Sequence, residues 1–558
     1  MAAVPIDRAS GLPARGGVTG GREAPLAAAF DALDAPVWVI PDPNRGQPDP
    51  RQQTPREHRI VLDGTTVPLD TPGSRAWTVV LPPTPPGSLG DPGFRAAHGV
   101  GLAYVGGAMA NGIASVELVE ALARERILSF FGAAGLTVAE VGRALDRLSS
   151  IRDLPHGVNL IHAPGEPRVE RELVELVLRR GVPAAEASAF LDLTPAIVRF
   201  RVQGVRSGPD GAPVPARRLM AKVSRREVAR RFLSPPPEEL LALLVRDGEI
   251  TEEERALARR LPMCDDLTAE ADSGGHTDNR PLVTLLPSLI ALRDEVVREG
   301  AIAFAPRVGA AGGIGTPWAA QAALTLGAAY LVVGSVHQAC LEAGTSPAVR
   351  EALALAESTD VAMAPAADMF EMGVELQVLR RGTMFPMRAR QLLELYRRHD
   401  SWEAIPEAER RKVEQTHFRS SFEEVWAATR EFFLARDPAQ VERAASDPRH
   451  QLALVFRWYL GLSSAWANRG EPGRQLDYQI WCGPSMGAFN EWVSGTPLAA
   501  VENRRVTTVA HALMEGAARL VRAEDLRRAG IALPPGLPDI TPRLPARPAT
   551  PTPARSPA

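Results

Sequence analysis

The rhythm of apolar positions along this chain changes near residue 98. In residues 1–95, short apolar runs (PVWVI at 36–40, HRIVL at 58–62, AWTVVL at 76–81) stand between Pro- and Gly-rich turn clusters, and helical periodicity is weak. This predicts a small β-rich region with a disordered start. Beyond it, short apolar runs alternate with amphipathic stretches of helical period, joined by turns of small residues. Strands are expected to end near Val105, Phe131, His162, Ser188, Ser224, Asp272, Ala311 and Gly334. Eight such units, each strand followed by a helix, predict parallel pairing and a closed (β/α)8 TIM barrel over residues 96–365. An open doubly wound sheet is the runner-up. It is disfavoured because glycine turns recur after several strands, where such a sheet carries one fingerprint early.

The fifth and sixth strand ends lie 48 residues apart, well beyond most of the other spacings. The excess, residues 234–262, reads as two short helices inserted between barrel units: Gly248 stops the first, and Thr251 with Glu254 forms a capping box for the second. Residues 366–532 are mainly helical by pattern, and 533–558 form a Pro-rich tail expected to be disordered.

Composition narrows the function classes. The chain has 558 residues and a formal charge of −3, with no basic excess to favour nucleic acid. Its three cysteines form no CxxC pair, which fits a reducing cytoplasm. No apolar run reaches the roughly 18 residues of a membrane span, and MAAVPIDRAS lacks a signal pattern. Of 63 Lys and Arg, only Lys222 and Lys412 are lysine, so a retained lysine draws notice.

Five strand ends carry candidate chemistry. In EADSGGHTDNRP (270–281), Asp272 precedes Gly274 and Gly275, where the backbone can approach a ligand closely. His276 follows, able to move protons near neutral pH. GAAGGIG (309–315), with Gly312 and Gly313, and the Gly334–Ser335 turn come after the last two strands. That is where barrels bind phosphate monoesters through backbone N–H groups. Lys222 and Asn159 sit at strand ends, where one supplies a cation and the other an amide. His156 and His162 flank a strand and read as structural. No histidine or cysteine spacing supports a metal. The methionines of 361–390 read either as core or as an adaptable acyl site. The arginines at 380, 381, 388, 390, 397 and 398 read as a solvated face or as a docking patch for an acidic partner.

Taken together, GLAYVGGAMANGIAS, GVNLIH, EADSGGHTDNRP, GAAGGIGTP, VVGSVHQACLEAGTS, MAPAADMFEMG and LVFRWYLGLSS resemble the trans-acting enoyl reductases of polyketide and polyunsaturated fatty acid synthases, the PfaD family. That family sits in the nitronate monooxygenase-like flavoprotein superfamily, with the FMN-dependent enoyl reductase FabK. The resemblance runs from about residue 95 to 510. It implies an FMN-bearing barrel, with Gly312, Gly313, Gly334 and Ser335 at the flavin phosphate. Gly106, Gly107, Ala108, Met109, Asn159 and Lys222 would lie at the isoalloxazine ring. Asp272, Gly274, Gly275 and His276 resemble an acid-x-Gly-Gly-His element, in which the superfamily often has Glu at the first position. The implied reaction takes hydride from NADPH through FMN to the β-carbon of an enoyl thioester on an acyl carrier protein, and His276 protonates the α-carbon. Nucleic acid and membrane are not expected partners, and homo-oligomerisation is left open. The alternatives are a nitronate monooxygenase and a catalytically silent flavin-binding scaffold.

Overall fold

Period-2 alternation decides the centre of the molecule. In the computed structural model, which describes residues 17–41, 58–162, 164 and 166–542, all eight expected strands form and close into a barrel. They are β1 (Tyr104–Gly106), β2 (Leu128–Phe131), β3 (Gly157–Ile161), β4 (Ala184–Ser188), β5 (Arg218–Val223), β6 (Asp266–Glu270), β7 (Arg307–Ala311) and β8 (Leu331–Val333). Every neighbouring pair is parallel. The strand expected to end at Asp272 ends at Glu270, because the chain there turns into the glycine loop.

Successive side chains on a strand face opposite ways. Val105, Leu128, Phe130, Ala184, Met220, Ala311, Tyr330 and Val332 pack inside the barrel with Phe94, from the helix Pro92–His98 that plugs its lower end. Phe94 stacks on Tyr330 with ring centroids 4.4 Å apart. The alternate positions, such as Leu160, Ala187, Ala221, Leu267 and Val308, join the core shared with the surrounding helices.

The inserted segment forms the helices Glu238–Arg246 and Glu252–Ala258, the second opened by the Thr251–Glu254 capping box. The N-terminal region is a five-stranded antiparallel sheet built from Gly17–Pro25, Val37–Pro41, His58–Val67, Arg75–Ala76 and Val79–Leu81. Its first strand is not signalled by the sequence, since Gly20 and Gly21 break the apolar pattern there. The fully buried Arg522 on the long helix Val506–Arg528 ties this sheet down, donating to the carbonyls of Ala29 (2.7 Å), Ala32 (2.5 Å) and Pro82 (2.8 Å).

Beyond the barrel, one expectation is refined and one is corrected. The region after 365 is mainly helical, yet Glu375–Leu379 is a strand that pairs with Val361–Pro365 and Gly275–His276. A buried strand of five residues leaves too short an apolar run to be told from a helix. The start of the expected disordered tail is ordered: Trp492 Nε1 donates to Ile540 O (3.1 Å) and Arg519 to Asp539 O (2.8 Å). The rest of that expectation, and the one for the first residues, falls on 1–16 and 543–558, outside the described residues. Among the described residues no helix is long and apolar enough to cross a membrane.

Candidate active site at the carboxyl end of the barrel

Inward parity continues upward from the apolar interior and becomes polar. Above Ala184 comes Glu186, above Met220 comes Lys222, above Thr268 comes Glu270, and above Gly157 comes Asn159. Lys222 Nζ lies 3.1 Å from Glu270 Oε1 and 4.0 Å from Glu186 Oε2. Burial alone would favour the neutral amine, but the two carboxylates outweigh it and hold the Lys222 pKa well above its ordinary value. Glu186 is fully buried. Burial pushes its pKa up, against the opposing effects of Lys222 and of the Ala108 N–H, which donates to Oε2 at 3.0 Å. Its Oε1 has no partner among the described residues. The Asn159 amide donates to Glu186 O (2.9 Å) and Ser188 Oγ (3.0 Å), so its NH2 braces the neighbouring strand.

The loop after β6 carries His276. Asp272 N–H donates to Arg280 O at 3.0 Å, and Asp272 Oδ1 accepts from Asn279 Nδ2 (2.9 Å) and from Gln377 Nε2. The carboxylate therefore closes the loop and ties it to the strand Glu375–Leu379. His276 lies opposite Leu376 on that strand. Its Nε2 is 3.1 Å from Asp368 Oδ1, and its side chain is 33% exposed, open to a ligand. Burial disfavours the charged imidazole, but the hydrogen bond and charge of Asp368, with Glu270 beyond, outweigh it and raise the His276 pKa. Asp368 is held below its ordinary value by the same pairing, also against burial.

The glycines divide into three groups. A side chain at Gly274 would meet the Cys482 main chain at 2.9 Å, and one at Gly312 the Ala271 carbonyl oxygen at 2.5 Å. At Gly106 and Gly107 it would meet Leu122 and Val332 at 2.5 and 2.8 Å. Packing against main-chain atoms accounts for Gly274 and Gly312, whereas a Cβ at Gly106 or Gly107 would press on neighbouring side chains. Gly275 needs its freedom for a φ of +85°. Gly313 (φ +73°) and Gly334 face open space: nothing lies within 4 Å of a Cβ at the first, and only Met109 Cγ, at 3.9 Å, near one at the second. Among the described residues, no acceptor takes the N–H groups of Gly313, Gly334 or Ser335. They follow the adjacent strands β7 and β8, so free donors and empty space coincide where a phosphate would sit.

His156 and His162 are structural: Leu154 O partners the first, while the second accepts from Leu191 N–H and stacks on Phe190. The expected basic face is largely neutralised. Arg388 donates to the fully buried Asp477, which also takes Arg419 (3.1 Å), Arg474 (3.2 Å) and the Tyr459 hydroxyl (2.8 Å). Arg381 pairs with Glu357 and Asp360, Arg390 with Glu375, and Arg398 with Glu409. Arg388 is thus part of a buried cluster. Of the methionines, Met372, Met384 and Met387 point outward.

Sequence reasoning missed Glu186, Glu270 and Asp368. The first two were detectable, since an acid at inward parity in PAAEAS and in LTAEAD must enter the barrel. Asp368 reaches His276 from 92 residues away, and no local spacing signals it.

Several known proteins are similar to this chain. The chain is 45% identical over 503 residues to a subunit of the polyunsaturated fatty acid synthase of a Thraustochytrium species, covering 89% of this chain and 32% of that protein. It is 42% identical over 436 residues to the polyketide biosynthesis protein PksE of Bacillus subtilis, covering 78% of this chain and 56% of that one. The chain therefore spans about a third to just over half the length of these relatives. The crystal structure of the enoyl reductase domain of MlnA, from the macrolactin biosynthesis cluster of Bacillus amyloliquefaciens, superposes with a TM-score of 0.75 at 35% identity, covering 79% of this chain and 99% of that one. Residues 399–478 match the family described as acyl-carrier-protein S-malonyltransferase, inserted helical domain.

Proposed function

Because the chain belongs to the PfaD/PksE-type family of enoyl reductases of polyunsaturated fatty acid and polyketide synthases, we propose that it reduces the α,β-double bond of enoyl thioesters carried on acyl carrier protein domains, with NADPH as the reductant and FMN as its cofactor. The observation that carries this reading is the His276–Asp368 pair at the barrel mouth, beside Lys222 and Glu270 and on the same rim as the two open glycine turns. The site fits FMN: Gly313, Gly334 and Ser335 offer free N–H groups for its phosphate, and the Ala108–Met109 loop, Asn159 and Lys222 offer the surroundings of its ring. FMN, when bound, supplies the two-electron carrier between NADPH and the β-carbon.

His276 holds the proton. With Nε2 turned to Asp368, Nδ1–H is left to deliver a proton to the substrate α-carbon. The raised pKa extends the pH range over which the imidazole carries the proton an acid must deliver. Asp368 also fixes the ring's orientation. A nitronate monooxygenase would use the same histidine as a base, and a raised pKa leaves less of it in the free-base form at a given pH. The test compares NADPH consumption with a crotonyl thioester against oxygen uptake on an alkyl nitronate. Thioester-dependent NADPH loss supports the proposal. Oxygen uptake alone points to the monooxygenase, and neither activity to a silent scaffold.

A further inference from the structure

Glu186 has no place in the mechanism above, yet it is the most buried charge-bearing side chain at the functional end of the barrel. It lies beside two groups at the carboxyl end of the barrel. Its Oε2 accepts the Ala108 N–H from the β1 loop at 3.0 Å, and the same oxygen stands 4.0 Å from Lys222 Nζ. Lys222 is shared with Glu270, 3.1 Å away on the far side. Glu186 is fully buried, whereas the Lys222 and Glu270 side chains keep 13% and 21% of their surface. The order from interior to mouth is therefore acid, then lysine with a second acid. One ammonium stands between two carboxylates, and the unpartnered Oε1 of Glu186 brings no second cation.

Resting on the reading of this site as an FMN site, we propose that Glu186 is a positioning residue that holds Lys222 at the flavin ring and, with Glu270, turns the charge of this floor negative, lowering the reduction potential of the bound FMN. The physical reason is Coulombic. Hydride transfer from NADPH brings two electrons and one hydrogen to the ring, NADPH leaves as NADP+, and the ring gains one negative charge. A lysine alone would stabilise that charge. Two carboxylates in a poorly screened interior offset it, leaving the ring a stronger hydride donor. A reductase that must pass hydride to an enoyl thioester gains driving force from such a floor.

The test uses the full chain loaded with FMN and equilibrated anaerobically with a reference dye, so the readout is the potential of the bound flavin and not turnover. Glu186→Gln keeps an oxygen for the Ala108 N–H and removes the charge. It is expected to raise the reduced-to-oxidised ratio at fixed ambient potential about tenfold, which for a two-electron couple is about 30 mV. Lys222→Met is expected to lower that ratio by a similar factor, with the double variant in between. Glu186→Asp keeps the charge and is expected to stay within about twofold of the wild type. If Glu186→Gln alters FMN occupancy but leaves the potential of the retained FMN unchanged, Glu186 is only structural and the proposal is overturned. A wild-type chain that retains no FMN overturns the functional reading itself, which is a distinct result.

Discussion

The two ends of the barrel use the same kinds of residue for opposite purposes. At the bottom, Asp266 on β6 is 1% exposed and is held by His98 Nε2 at 2.8 Å and Arg307 Nε at 2.6 Å. At the top, Glu186 on β4 is equally buried but shares one lysine at 4.0 Å and leaves an oxygen unpartnered. Burial pushes both carboxyl groups up. At Asp266 the His98 and Arg307 charges and hydrogen bonds outweigh it and the pKa falls, whereas at Glu186 burial wins and the pKa rises. At one end both carboxylate oxygens of the buried acid are taken, beneath Phe94. The other keeps its electrostatics unfinished, with a partly exposed histidine and two open glycine turns around it.

The first way to break this contrast is to open the bottom. Asp266→Asn leaves His98 and Arg307 without their shared acid, and removing one partner of a buried ion cluster costs about 3–5 kcal/mol. Urea denaturation should register that loss, while Glu186→Gln costs clearly less. Equal costs would mean that the two ends do not differ in kind. Because the Asp266 pKa is depressed by folding, its contribution is present above the unfolded carboxylate value and fades as pH falls through the folded one.

A second comparison sharpens the top. Gly312→Ala drives a Cβ into the Ala271 carbonyl, and with its φ of +84° should cost about 3 kcal/mol. Gly313→Ala enters open space and should cost only about 1 kcal/mol for its positive φ, yet lose FMN retention. Equilibrium dialysis with FMN on both variants checks this, and retention by the Gly313 variant would remove the phosphate assignment.

The third effect is smaller and depends on pH. The proposed reduction uses His276 in its protonated form, so activity is expected to fall as pH rises through its elevated pKa. Asp368→Asn removes the charge that raises it. The falling limb of the pH–rate profile should then move to lower pH, with up to about a tenfold rate loss on that limb for each pH unit moved. A limb that stays in place would release Asp368 from its role.

Much of this architecture is legible in the amino-acid sequence. The eight strands are, because alternation and glycine turns repeat, and so is His276, because an acid and two glycines stand beside it. The polar floor escapes for a specific reason: the acid in PAAEAS reads as an interruption of an apolar run unless the inward parity of the strand is followed through it. The glycines mislead in the other direction. Gly312 and Gly313 are neighbours, and only three-dimensional packing shows that the space at the first is filled by Ala271 and at the second by nothing. Likewise Arg388 reads as surface charge, because its partner Asp477 lies 89 residues away and is fully buried.

The central claim, that the upper end is a reductase site in which His276 supplies the proton, is tested most directly by His276→Ala in stopped flow at the flavin absorbance band. Bleaching by NADPH needs no proton from the imidazole and should keep its wild-type rate. Recovery of the band on mixing with a crotonyl thioester should slow by about 10²–10⁴-fold, the usual cost of losing a positioned acid. Collapse of the NADPH phase with fast thioester-dependent recovery would contradict the account.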